Sequence, residues 1–106
     1  MTTARKKIIR GRPVGSSSVD PTIGAAFGRA VVVLRTAAGL SQEAVGLGAG
    51  IGRSNMSAIE NGRTAPNLQS VVKIAAALGC SLPVLMREFE RAHQALLVEQ
   101  TDTTEH

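Results

Sequence analysis

Cys80, His93 and His106 make up the chain's entire set of thiol and imidazole side chains. No two of them stand at the short spacing that a Cys/His metal site uses, so the sequence points to no metal. Cys80 has no His or second Cys close by in sequence to activate it. Following Gly79 at a helix junction, it reads as a small, half-buried apolar residue. Ser41 reads as a helix cap rather than a nucleophile. His93 reads as a surface or interface residue of the last helix, and His106 as part of the tail. Glycines alternate at Gly46, Gly48, Gly50 and Gly52, but they form neither G-x-G-x-x-G nor a Walker pattern. The sequence therefore holds no constellation for catalysis and no cradle for a cofactor, and the expectation is that it is not an enzyme. The chemistry that does stand out is cationic. Arg5, Lys6, Lys7, Arg10 and Arg12 crowd into the start of the chain, a composition suited to a polyanion.

Those cations belong to a larger asymmetry. Residues 1–80 carry ten Lys and Arg against Asp20, Glu43 and Glu60, a net of +7, while residues 81–106 carry two Arg against five acids, a net of −3. The chain's 106 residues suffice for one domain with tails. The 43% hydrophobic content includes two Phe and neither Trp nor Tyr, so the core is aliphatic. Such a core suits closely packed helices better than a sandwich or barrel. The same poverty argues against binders of RNA or single strands, which stack bases on aromatic rings. One cysteine excludes an intrachain disulfide and fits a reducing compartment. No unbroken apolar run exceeds the five residues of Ala30 to Leu34, and the basic N-terminus is not followed by an apolar stretch. A soluble, cytoplasmic protein is the expectation.

Residues 1–19, ending in Gly15-Ser16-Ser17-Ser18-Val19, read as a flexible basic arm, and 98–106 as a disordered tail. Between them lies an all-α domain over 20–97. Asp20-Pro21 supplies a cap and a proline at the first helical position, and Phe27, Val31, Leu34 and Ala38 follow on one face of a helix ending at Gly39. Ser41 caps a short helix from Gln42 to Gly48, a turn over 49–52 leads to a third from Arg53 to Asn61, and Gly62 ends it. Pro66-Asn67 opens a fourth, with Leu68, Val71, Val72, Ala75 and Leu78 on its predicted buried face. Ser81 opens a fifth, lined by Leu82, Leu85, Met86, Phe89, Ala92, Leu96 and Leu97.

Two short helices joined by a glycine-containing turn form a helix-turn-helix unit. Its geometry requires a small residue where the second helix crosses the first, a glycine able to take positive φ, and apolar residues that pin the pair together. Val45, Gly46, Ala49, Gly50, Ile51, Met56 and Ile59 fall at those places.

From Phe27 to Leu85, without gaps, the sequence resembles the Cro/repressor-type (xenobiotic-response-element) helix-turn-helix family of bacterial and phage regulators. Gly39-Leu40-Ser41-Gln42-Glu43 resembles that family's GLSQE opening, and Ile59-Glu60-Asn61-Gly62-Arg63 its IExGxR close. Pro66-Asn67-Leu68 followed by Ile74-Ala75-Ala76-Ala77-Leu78-Gly79 resembles its PxL…IAxALG helix. The resemblance implies a five-helix lambda-repressor-like domain that binds double-stranded DNA. It also implies that the second motif helix lies in the major groove with Arg53, Ser54, Asn55, Ser57 and Ala58 toward base edges. Arg53 would bond guanine O6 and N7, and Asn55 adenine N6 and N7 if it faces the groove. Ser41, Gln42, Asn61 and Arg63 would meet backbone phosphates. Arg35 and Glu60 occupy the family's structural salt-bridge positions. The alternating glycines depart from the family pattern: Gly48-Ala49 replaces a larger apolar pair, and Gly52 replaces a Ser or Thr cap. Each glycine within a helix costs about 0.5–1 kcal/mol relative to alanine, so a weak first motif helix is expected.

Arg10-Gly11-Arg12-Pro13 resembles an AT-hook core, whose arginines enter narrow minor grooves; diffuse phosphate contacts by the same arm are the alternative. Phe89, Ala92, Leu96 and Leu97 extend the last helix's apolar stripe beyond what a small domain is expected to cover. A frayed extension would account for that stripe, but the favoured reading is a two-fold dimer interface. The expected function is a homodimeric transcriptional regulator, a repressor type, on an inverted-repeat operator. The alternative is an antitoxin-like interaction module that meets another protein and autoregulates through the same domain.

Overall fold

The computed structural model describes residues 20–105, with side chains through Gln100. The basic arm, with Arg5, Lys6, Lys7, Arg10 and Arg12, lies outside the described residues, as does His106. Five helices and no strands make up the described part: α1 (Pro21–Ala37), α2 (Gln42–Ala49), α3 (Arg53–Glu60), α4 (Leu68–Leu78) and α5 (Leu82–Glu105). The fold is all-α, and no single described helix is long and apolar enough to cross a membrane.

Local chemistry sets most helix ends. The Asp20 carboxylate accepts hydrogen bonds from the Thr22 and Ile23 amides at 2.9 and 3.1 Å, satisfying donors that the first turn of α1 leaves without partners. Ser41 Oγ accepts from the Ala44 amide at 3.0 Å, and Asn67 Oδ1 from the Ser70 amide at 2.8 Å. Gly52 starts α3 with no side-chain cap. Gly50 stops α2 at φ +70°, a conformation that costs a residue bearing Cβ, and the chain turns so that the Ile51 amide reaches Gly46 O at 2.8 Å.

The core gathers Phe27, Ala30 and Val31 of α1, Val45 and Ala49 of α2, and Met56 and Ile59 of α3. Ile74, Ala75 and Leu78 of α4 and Leu85 of α5 complete it. The chain axis turns through 107° between α1 and α2 and 105° between α4 and α5, which lets α5 return along α1 while α2 packs on α4. Among the described residues Phe27 is the one buried aromatic, and the small side chains of Ala30, Ala49 and Ala75 sit in the core with it.

Three features differ from the sequence expectation. Leu68 and Val72 are 76% and 45% exposed, and Ile74 is fully buried in their place. The inward stripe of α4 is 71, 74, 75 and 78, the i, i+3, i+4, i+7 set; Val72 is rotated off it by about 100°. Ala38, placed on the buried face of α1, is the exposed cap after its end. Finally, α5 runs to Glu105 instead of stopping at Leu97. Its far half is tethered to α1: Gln100 donates to Thr22 Oγ1 at 2.9 Å, and Glu99 stands 3.9 Å from Arg29.

Candidate nucleic-acid interface

The two sides of α3 are chemically opposite. Met56 and Ile59 are buried at 1% and 4% exposure, pinning the helix to the core. Arg53, Ser54 and Asn55 are exposed, and Ser57 and Ala58 are half-buried. At about 100° per residue, Arg53, Ser54, Ser57, Ala58 and Asn61 share one outward stripe. Asn61 Nδ2 donates to Ser57 Oγ at 3.3 Å along it. Asn55 stands on the flank, lining a second concavity with Gly52, Thr64, Pro66, Asn67 and Ser70 rather than the one that Arg53 lines. The residues named for base edges thus separate into a stripe led by Arg53 and a flank held by Asn55.

Arg53 lines a concavity of about 400 Å³ between α2 and α3, with Ser41, Gln42, Gly46, Leu47 and Met56 around it. Neither Arg53 nor Arg63 has an ion-pair partner among the described residues, so both charges remain open to an outside anion. Ser41 Oγ is an acceptor to its own helix, which leaves its O–H free to donate outward. Gly46 is buried where α3 crosses α2: a Cβ there would lie 3.0 Å from Ile51 O and 3.4 Å from Met56 Cγ. A larger residue would push α3 off α2 and move the exposed stripe with it.

Behind this surface a charged cluster joins three segments. Arg35 Nε donates to Glu60 Oε2 at 2.7 Å and its Nη2 to Oε1 at 3.1 Å, a bidentate pair, while Nη1 donates to Leu40 O at 3.0 Å. The side chains are 17% and 4% exposed. Gln42 Nε2 also donates to Glu60 Oε1, at 3.0 Å. The family resemblance pairs Arg35 with Glu60; nothing in the sequence indicated that Gln42 joins them, because the bond spans two helices and a glutamine at a helix start reads as an ordinary exposed residue.

This geometry has known counterparts. A model of the helix-turn-helix family matches residues 33–85, half of the chain. The chain belongs to the helix-turn-helix family. Within it, the match is of the xenobiotic-response-element type, a group of DNA-binding transcription regulators. No curated protein matches the sequence. Among solved structures, the restriction-modification controller protein C.AhdI from Aeromonas hydrophila is similar at 35% identity and a TM-score of 0.56. That match covers 58% of this chain and 94% of that one. The clp gene regulator ClgR from Corynebacterium glutamicum shares the fold at a TM-score of 0.69 and 22% identity, covering 78% of this chain and 87% of that one.

Away from the motif, the helix-turn-helix chain packs α5 inward. Phe89 is half-buried against Phe27, ring centroids 6.4 Å apart, and its ring stacks on His93 at 5.6 Å. Ala92 and Leu96 are also half-buried, leaving Leu97 as the exposed member of the stripe, at 39%. Of the four residues named for a dimer interface, Phe89 thus packs against Phe27 of α1, and α5 as a whole runs along α1. Cys80 is half-buried, and desolvation raises its thiol above the usual cysteine range, the direction opposite to that of an activated thiolate. No group of three or more metal-ligating side chains occurs among the described residues.

Proposed function

We propose that this chain regulates transcription as a homodimer on an inverted-repeat operator, with α3 in the major groove of each half-site and half-sites about one helical turn apart. The observation that carries the reading is the unpaired Arg53 at the N-terminus of α3, on a helix whose opposite side is locked to the core. Arg53 reads a guanine edge, Ser54, Ser57 and Ala58 contact neighbouring bases, and Asn55 meets the groove's flank. Ser41, Gln42, Asn61 and Arg63 hold backbone phosphates on either side, fixing register without reading sequence. The arm adds phosphate contacts or minor-groove insertion through Arg10 and Arg12, and the exposed end of α5 around Leu97 supplies the dimer contact. The protein works in the cytoplasm, on the nucleoid.

Selecting bound duplexes from a random pool, with the full chain and with residues 1–19 deleted, tests the reading. The expected product is a two-fold symmetric site. Affinity for it should fall steeply with salt, and deleting the arm should flatten the slope by about 0.9 per cation lost from contact. Arg53→Ala should cost about 1–3 kcal/mol of discrimination at one base position, while Gln42→Ala weakens all duplexes alike. Failure to enrich any duplex, or salt-insensitive binding, would rule the reading out.

A further inference from the structure

Glu60 is the last residue of α3, yet its side chain is only 4% exposed and accepts from two other segments at once. Its Oε2 takes Arg35 Nε, and its Oε1 is shared by Arg35 Nη2 and Gln42 Nε2. Arg35 comes from α1, and Gln42 is the first residue of α2. A carboxylate accepts and never donates, so it selects one orientation of the facing carboxamide: the NH₂ end turned inward, the carbonyl end away. One N–H of Gln42 is spent on Glu60. The other stays available on the half-buried side chain, which lines the concavity that Arg53 also lines.

We propose that Glu60 is a positioning residue for DNA binding: it holds the Gln42 carboxamide with its second N–H already aimed at a backbone phosphate. The proposal rests on the reading of Gln42 as a phosphate contact and adds the group that makes the contact efficient. A free glutamine side chain loses several rotatable bonds on binding and presents its oxygen to the phosphate as readily as its nitrogen. Glu60 removes both costs before DNA arrives. Arg35 makes this possible, because its bidentate pairing offsets the carboxylate charge that would otherwise repel the phosphates. One carboxylate thereby links the Gln42 contact at the start of α2 to the Asn61 contact just past the end of α3.

The test pairs protein variants with chemically altered DNA. Each phosphate of a duplex selected by the unaltered full-length chain is replaced in turn by a neutral methylphosphonate, and binding is measured for the unaltered chain, Gln42→Ala and Glu60→Gln. One phosphate per half-site should cost the unaltered chain roughly tenfold when neutralised, and cost Gln42→Ala nothing further. In Glu60→Gln the penalty at that same phosphate should also vanish, while penalties at the remaining phosphates persist. A full penalty retained there by Glu60→Gln, or losses spread evenly over every phosphate, would overturn the positioning role. If no phosphate depends on Gln42, the phosphate reading itself fails, a result distinct from failure of Glu60 to position it. Should Glu60→Gln not fold, side-chain amide NMR of the unaltered free protein decides the matter. The Gln42 NH₂ should be as ordered before DNA is added as after, and a freely rotating amide would overturn the proposal.

Discussion

Arg35 shows how much the surroundings of a single ion pair matter. Removing one member of a buried pair leaves the other charge desolvated and alone, which costs about 3–5 kcal/mol. With Glu60 at 4% exposure and Arg35 at 17%, Arg35→Ala should fall near the lower end of that range, about 3 kcal/mol by urea denaturation. The Arg29–Glu99 pair makes the opposite case: its atoms stand 3.9 Å apart and its side chains are 51% and 62% exposed. Arg29→Ala should move the same curve by less than about 0.5 kcal/mol, since water screens the pair and its long side chains are costly to order. Equal losses from the two substitutions would mean that burial does not control their strength.

At the scale of elements, close approach between helices governs what can change. A Cβ added at Gly28 would lie within 2.7 Å of Ile59 O and closer still to Glu60 O, where the end of α3 crosses α1. Neither atom is a flexible side-chain tip, so Gly28→Ala must push α3 away from α1. It should destabilise by about 1–3 kcal/mol, and it should also weaken DNA binding in gel shifts by tilting the exposed stripe. Gly52 is the contrasting case, with nothing within 4 Å of a Cβ and no side-chain cap at the start of α3. Gly52→Ser should therefore stabilise by a few tenths of a kcal/mol in thermal unfolding, about what a hydroxyl cap adds over glycine. The alternating glycines are accordingly unlike one another: Gly46 and Gly50 answer to packing and backbone conformation, whereas Gly52 answers to neither.

For the molecule as a whole, the question is which apolar surface remains after folding. Leu97 and Val98 are 39% and 58% exposed on the far half of α5. If this is where two copies meet, Leu97→Asp should shift sedimentation equilibrium from dimer toward monomer. It should leave the helical signal and the urea midpoint of the monomer unchanged, because the side chain contributes little to the core. A dimer that persists through Leu97→Asp would place the contact elsewhere, and the exposed Ile23, Leu68 and Met86, which line one apolar concavity between α1, α4 and α5, would be the next surface to alter.

Capping chemistry and apolar periodicity are local, and they settled much by themselves. Asp20, Ser41 and Asn67 start their helices, Gly50 and Gly79 end theirs, and Val45, Met56 and Ile59 face inward as their spacing requires. The motif resemblance was likewise legible, because helix-turn-helix packing demands particular residue types at fixed distances along one short stretch. What spacing could not decide was which of several candidate faces finds a partner. Leu68 and Val72 were as apolar as Ile74, and only the placement of α2 beside α4 chose between them. The stripe on α5 looked unmatched until the turn after α4 brought it back along α1. The bond from Gln42 to Glu60 joins residues 18 positions apart through an oxygen already engaged by Arg35. Such a junction follows from where three helix ends converge, and convergence is a property of the folded chain: burial and bond geometry depend on distances that neighbours in sequence do not set.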